Sequence, residues 1–115
     1  KKHSSIPIIL DETILSTQDL IRAIDKDMCH GVNIKIAKNG IDESIKIYSM
    51  AKKHGMKLMI RCMTETFTGL SAGIYLALGA GGFDFIDLDA IHFLHHKKHY
   101  NNITIEGPRY TVKTD

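Results

Sequence analysis

The sequence has no tryptophan, only two prolines and two cysteines, and 7% aromatic residues, and no segment concentrates charge of one sign. Two cysteines so far apart, Cys29 and Cys62, exclude a disulfide-stapled scaffold, and free buried thiols are the expected state. Lysine plus arginine total 15 against 13 for aspartate plus glutamate, a net charge of +2. That balance gives no electrostatic case for nucleic acid or an anionic membrane. Long apolar runs are also missing. The uncharged stretch from Phe67 to Phe83 holds five glycines, is bounded by Glu65 and Asp84 and falls short of about 20 apolar residues, so it reads as a buried helix and its exit loop. The chain opens Lys1-Lys2-His3, with an apolar stretch only from Ile6 to Leu10, and a reducing cytoplasm is the expected compartment.

With 115 residues, 43% of them hydrophobic and 24% charged, there is material for one core. A complete eight-unit β/α barrel of about 250 residues is excluded. Periodicity alternates between short β-rich runs and helical spacing, the signature of parallel β/α units. The first strand spans Ile6 to Leu10. Ser16 and Asp19 open a helix as a capping-box variant, with Leu20, Ile21, Ile24 and Met28 as its apolar stripe and Gly31 as its exit. A second strand, Val32 to Ile36, leads through Asn39-Gly40 into a helix from about Ile41 to His54, whose expected core face is Ile41, Ile45, Tyr48 and Ala51 and whose end is Gly55. The third unit is Lys57 to Cys62 and a helix near Thr68 to Leu78, facing inward with Leu70, Ile74, Ala77 and Leu78. A fourth strand, Phe83 to Asp87, closes the series. The reading is α/β: half of a (β/α)8 barrel over residues 1–90, then a tail over 91–115 with a His-rich stretch and a hairpin turning at Glu106-Gly107-Pro108-Arg109.

Polar residues recur at the strand ends, where a parallel α/β sheet places its chemistry. They are Asp11-Glu12 on the first strand, Asn33 and Lys35 on the second, Cys62-Met63-Thr64-Glu65 after the third, and Asp87 and Asp89 on the fourth. Alternation puts Asp87 and Asp89 on one face, where together they could hold an ammonium group. A strand-end aspartate is often only a cap, but Lys35 stands between two isoleucines in an apolar strand, and lysine is rarely buried unless paired or reactive. Desolvated near a bound cation, its pKa would fall toward neutrality and it could take a proton from carbon.

The runs Pro7-Ile8-Ile9-Leu10-Asp11-Glu12-Thr13, Gly31-Val32-Asn33-Ile34-Lys35-Ile36-Ala37-Lys38-Asn39-Gly40, Cys62-Met63-Thr64-Glu65-Thr66 and Asp84-Phe85-Ile86-Asp87-Leu88-Asp89 resemble, in order and interval, the second half of the barrel in the enolase superfamily. The resemblance is to the muconate-lactonizing subgroup and, within it, the dipeptide epimerases. It implies that Asp11 is a carboxylate ligand of Mg2+, that Lys35 is the acid/base at the substrate α-carbon, that Asp87 and Asp89 bind the substrate's α-ammonium group, and that Cys62, Met63 and Glu65 lie near the pocket. The lysine and magnesium pairing is a known pattern of that superfamily.

The family's N-terminal capping domain, second-strand lysines and remaining metal carboxylates have no counterpart here, so the expectation is a piece of a longer enzyme or a truncated gene product, inactive alone. Arg61 departs from the small residue usual before Cys-Met; a cation there could intrude on the pocket or bind an acidic substrate group. Open strand edges predict a homo-oligomer or pairing with the missing half. Alternative readings are a muconate-type cycloisomerase, disfavoured because Asp87 and Asp89 would repel a dianion, and a non-catalytic half-barrel scaffold. His92, His95, His96 and His99 have spacings that could bind zinc or nickel, although the interleaved lysines read as a solvated segment.

Overall fold

The computed structural model describes residues 1–95 and 102–114. Its main sheet is fully parallel, with strands β1 (Ile9–Leu10), β2 (Gly31–Ile34), β3 (Lys57–Arg61) and β4 (Phe85–Asp87) lying in chain order. Between them run α1 (Thr17–Asp25), a short α2 (Ile36–Asn39), α3 (Ile41–Lys53) and α4 (Phe67–Ala80). A 3-10 turn at Ala90–Phe93 follows β4, and β5 (Ile103–Glu106) and β6 (Arg109–Val112) form the expected antiparallel hairpin. The order is that of an α/β half-barrel. Among the described residues no helix is long and apolar enough to cross a membrane.

Strand alternation divides the sheet. Val32, Ile34 and Leu58 point to the helix layer and bury themselves with Leu20, Ala23, Ile47 and Ala51. Ile60 does the same with Phe67, Leu70, Ile74 and Ala77 of α4. The intervening residues, Asn33, Met59, Arg61, Phe85 and Asp87, therefore share the opposite face, and register sets Asn33 beside Met59, Met59 beside Phe85 and Arg61 beside Asp87.

The helices start where sequence chemistry places them. Ser16 caps α1 by accepting from the Asp19 N–H, while the Asp19 carboxylate accepts from the Ser16 N–H at 2.9 Å, so aspartate completes the capping box in place of glutamate. Gly55 takes the left-handed conformation after α3, as expected.

Two inward faces differ from expectation. On α1 the buried residues are Leu20 and Ala23, with Ile21 and Met28 exposed. On α3 they are Ser44, Ile47 and Ala51, whereas Ile41 is 56% and Ile45 47% exposed. Ala51 is buried as expected, and Ser44, buried on the same helix face, satisfies its hydroxyl on the Gly40 carbonyl at 2.6 Å. Leu78 of α4 is likewise exposed rather than inward.

Gly31 is also corrected. It does not end α1, whose exit uses Asp27 at φ 48°; it opens β2, where a Cβ would lie 2.5 Å from the Lys57 carbonyl oxygen. The second strand stops at Ile34, and Lys35 becomes the N-cap of α2 rather than a mid-strand residue.

Candidate active site at the strand ends

At the C-terminal ends of β1 and β2 a carboxylate is surrounded by donors. The Asp11 Oδ2 accepts from Lys35 Nζ at 2.9 Å and from Asn33 Nδ2 at 2.8 Å, and Oδ1 lies 3.0 Å from Lys38 Nζ. Lys35 reaches the other way to Glu12 Oε1 at 2.8 Å, and Lys38 also donates to the Asp11 carbonyl at 2.6 Å. Lys35 is only 6% exposed and Asn33 2%. α2 creates this arrangement: one turn of helix directly after Lys35 brings Lys38 back over the strand end.

Burial pulls the Asp11 carboxyl upward, but the hydrogen bonds from Lys35, Lys38 and Asn33 more than reverse this, and its pKa settles at about 2. Lys35 moves opposite to the sequence expectation. Its hydrogen bond to Glu12, then that to Asp11, outweighs desolvation and holds the ammonium above the ordinary lysine value. Desolvation, expected to lower this pKa, is overcome by the two carboxylates carried on the end of the neighbouring strand.

At the ends of β3 and β4 lies a second cluster. Arg61 Nε donates to Asp87 Oδ2 at 2.7 Å across the β3/β4 register, and the thiol of Cys62 lies 3.7 Å from both the Asp87 carbonyl and Asp89 Oδ1. Asp87 and Asp89 were expected to project together as alternate strand residues. β4 ends at Asp87, however, and Asp89 (φ −89°, ψ −1°) turns into the 3-10 segment, so strand alternation does not align the pair: the Asp87 carboxylate lies on Arg61 and the Asp89 carboxylate beside Cys62. Met63 is exposed in the loop after β3, and Glu65 folds onto that loop, accepting from the Met63 N–H at 3.1 Å. The Tyr110 hydroxyl from the hairpin donates to the Leu88 carbonyl at 2.5 Å and fixes the segment between the two aspartates. A cavity of about 470 Å3 opens beside it, lined by Ile74, Leu78, Ile86, Asp87, Asp89 and Tyr110.

Both cysteines are free. Burial pushes the Cys62 thiol up, and the Asp89 and Glu65 charges add to the shift. Alkylation of Cys62 by iodoacetamide is therefore expected to be half-maximal above pH 9.0, and Asp89→Asn should bring that midpoint down. A midpoint at or below pH 9.0 in the unmodified chain would contradict the assignment.

The described residues do not by themselves make a Mg2+ site. No three His, Cys, Asp or Glu side chains among them gather around a common point, and both oxygens of Asp11 are already engaged by two ammonium groups and an amide. His92 lies in the 3-10 turn and His95 just after it; His96 and His99 lie outside the described residues, as does any helix face the four would share. Lys38 is the site residue that reading the strand ends missed; its signal was its place three positions after Lys35.

Comparison with known proteins gives the family. A family model described as enolase C-terminal domain-like matches residues 1–115. An L-Ala-D/L-Glu epimerase of Thermotoga maritima is 36% identical over 111 residues, covering 96% of this chain and 32% of that protein. Among solved structures, a mandelate racemase/muconate lactonizing protein from Herpetosiphon aurantiacus superposes with a TM-score of 0.90 at 31% identity, over 97% of this chain and 32% of the other. A dipeptide epimerase from Enterococcus faecalis, solved with Mg and the dipeptide L-Leu-L-Tyr, superposes with a TM-score of 0.87 at 28% identity, over 99% of this chain and 33% of the other. The chain thus spans about a third of the length of the relatives it matches. With a family match over its whole length and the order of its β/α units in accord with it, this chain belongs to the enolase C-terminal domain-like family.

Proposed function

We propose that this chain supplies the acid/base half of a Mg2+-dependent dipeptide epimerase, and that it needs a complementary N-terminal part to act. The observation that carries the reading is Lys35: a buried ammonium held between Asp11 and Glu12 at the sheet's C-terminal edge, in a chain whose relatives are named dipeptide epimerases. Epimerisation moves one proton. An α-proton leaves the substrate carbon and a proton returns on the opposite face, passing through an enediolate. Lys35, held charged, is in the form that gives its Nζ proton to that carbon; the neutral amine left behind is the base for the reverse direction. A base for the opposite face comes from outside this chain.

Asp11 would contribute one oxygen ligand to the metal only by giving up one of the ammonium groups it now holds, the other ligands coming from the complementary part; bound Mg2+ would stabilise negative charge on the carboxylate oxygens. Asp87 and Asp89 take the substrate ammonium group, with Cys62, Met63 and Glu65 around them. Arg61 offsets part of their charge and weakens the argument against a dianionic muconate. The relatives' names restore the preference, since they describe epimerases of dipeptides. The complementary part is either the missing N-terminal half of the same enzyme or, in an oligomer, a second chain that also covers the bare sheet face.

The test is deuterium incorporation at the α-carbon of L-Ala-L-Glu in D2O with Mg2+. Exchange is expected when the chain is joined to the N-terminal two thirds of the Thermotoga maritima epimerase, and not with the chain alone. Exchange by the 115-residue chain alone, or none from a folded joined protein, overturns the proposal.

A further inference from the structure

We infer that Arg61 is a specificity-determining residue that selects a dipeptide whose N-terminal residue carries an acidic side chain. The inference rests on the epimerase reading above and names the substrate class. Arg61 enters the site from β3 on the same face as Asp87, and its Nε is committed to Asp87 Oδ2 at 2.7 Å. No hydrogen-bond partner for its terminal Nη groups is found among the described residues, and the side chain is 43% exposed. The guanidinium is therefore fixed at one end and open at the other.

The charge arithmetic gives this geometry its consequence. Asp87 and Asp89 contribute two negative charges and Arg61 one positive. A substrate ammonium group bound to the two aspartates must then share Asp87 with a guanidinium, and two cations on one carboxylate repel. A carboxylate on the substrate, close to its own ammonium group, removes the conflict by pairing with the open guanidinium edge in a charge-assisted fork.

Distance says which substrate residue carries it. Two donors at about 2.8 Å from the oxygens of one carboxylate lie within about 6 Å of each other. The side-chain carboxylate of an N-terminal aspartate or glutamate can reach that far from its own ammonium. The following residue, which holds the reacting carbon, begins about 3.8 Å further along and directs its side chain to the opposite side of an extended dipeptide.

The experiment uses the full 115-residue chain, 15N-labelled, titrated separately with L-Glu-L-Ala and L-Ala-L-Ala while the Arg61 Nε–H and the Asp87 and Asp89 amide resonances are followed. L-Glu-L-Ala is expected to bind at least about tenfold more tightly and to shift the Arg61 Nε–H, a preference that Arg61→Met abolishes and Arg61→Lys partly keeps. Equal affinities with shifts at Asp87 and Asp89 would overturn the role of Arg61 while leaving the ammonium site intact. A preference that survives in Arg61→Met would overturn it too. If neither peptide moves Asp87 or Asp89, the ammonium site itself falls, and the selectivity with it.

Discussion

Asp11→Ala is expected to cost the fold on the order of 3 kcal/mol, because it removes the one carboxylate that two buried lysines share. The Lys35 and Lys38 side chains are 8% and 6% exposed and approach Asp11 to 2.9 and 3.0 Å. Without it the two ammonium groups face each other with Glu12, itself largely exposed, and backbone carbonyls as their remaining partners. Asn33 would lose the acceptor of its Nδ2, and its Oδ1 already has no partner among the described residues. With domain stabilities of about 5–15 kcal/mol, such a loss shows clearly in urea denaturation. Adding Lys38→Met should recover part of it by removing one of the uncompensated charges. A single variant within 1 kcal/mol of the parent would mean that water has freer access to these lysines than their burial indicates.

Lys35→Met is expected to have the reverse profile. Removing this ammonium leaves Asp11 with Lys38 and Asn33 and returns Glu12 to solvent, so the fold loses little. The chemistry loses its proton donor. A positioned acid/base contributes about 10^2–10^4-fold, and conversion of L-Ala-L-Glu to its L,D epimer by the joined enzyme should fall by that much, with the KM for dipeptide far less affected. Retention of more than a tenth of the parent rate would remove Lys35 from the reaction. Measured together, the two variants separate neighbouring side chains: Asp11→Ala lowers the stability of the chain and would also remove a metal ligand from the joined enzyme, whereas Lys35→Met lowers the chemistry alone.

The β/α alternation, the α1 cap, Gly55 and the hairpin turn were legible in the sequence because each is set by residues within a few positions of one another. What misled was mostly packing between elements distant in the sequence. Ile41 and Ile45 lose the core to Ser44 and Ile47 because two interlocking stripes both satisfy helical periodicity, and closeness to the sheet decides between them. Lys35 could be singled out from the strand it interrupts. Its protonation could not, because Asp11 and Glu12 meet it only once β1 lies beside β2. The Arg61–Asp87 pair was invisible for the same reason: the residues are 26 positions apart and become neighbours only through the register of β3 and β4.

The alignment of β2 on β3 depends on Gly31. With the Lys57 carbonyl filling the space a side chain would need, β2 meets β3 in one alignment at its base. A slip by a single residue would swing Asn33 and Lys35 into the hydrocarbon layer beneath the sheet and turn Ile34 outward. A glycine at the far end of the strand thus acts as a ratchet tooth that keeps the Lys35 amine on the side where Asp11 and Glu12 meet it.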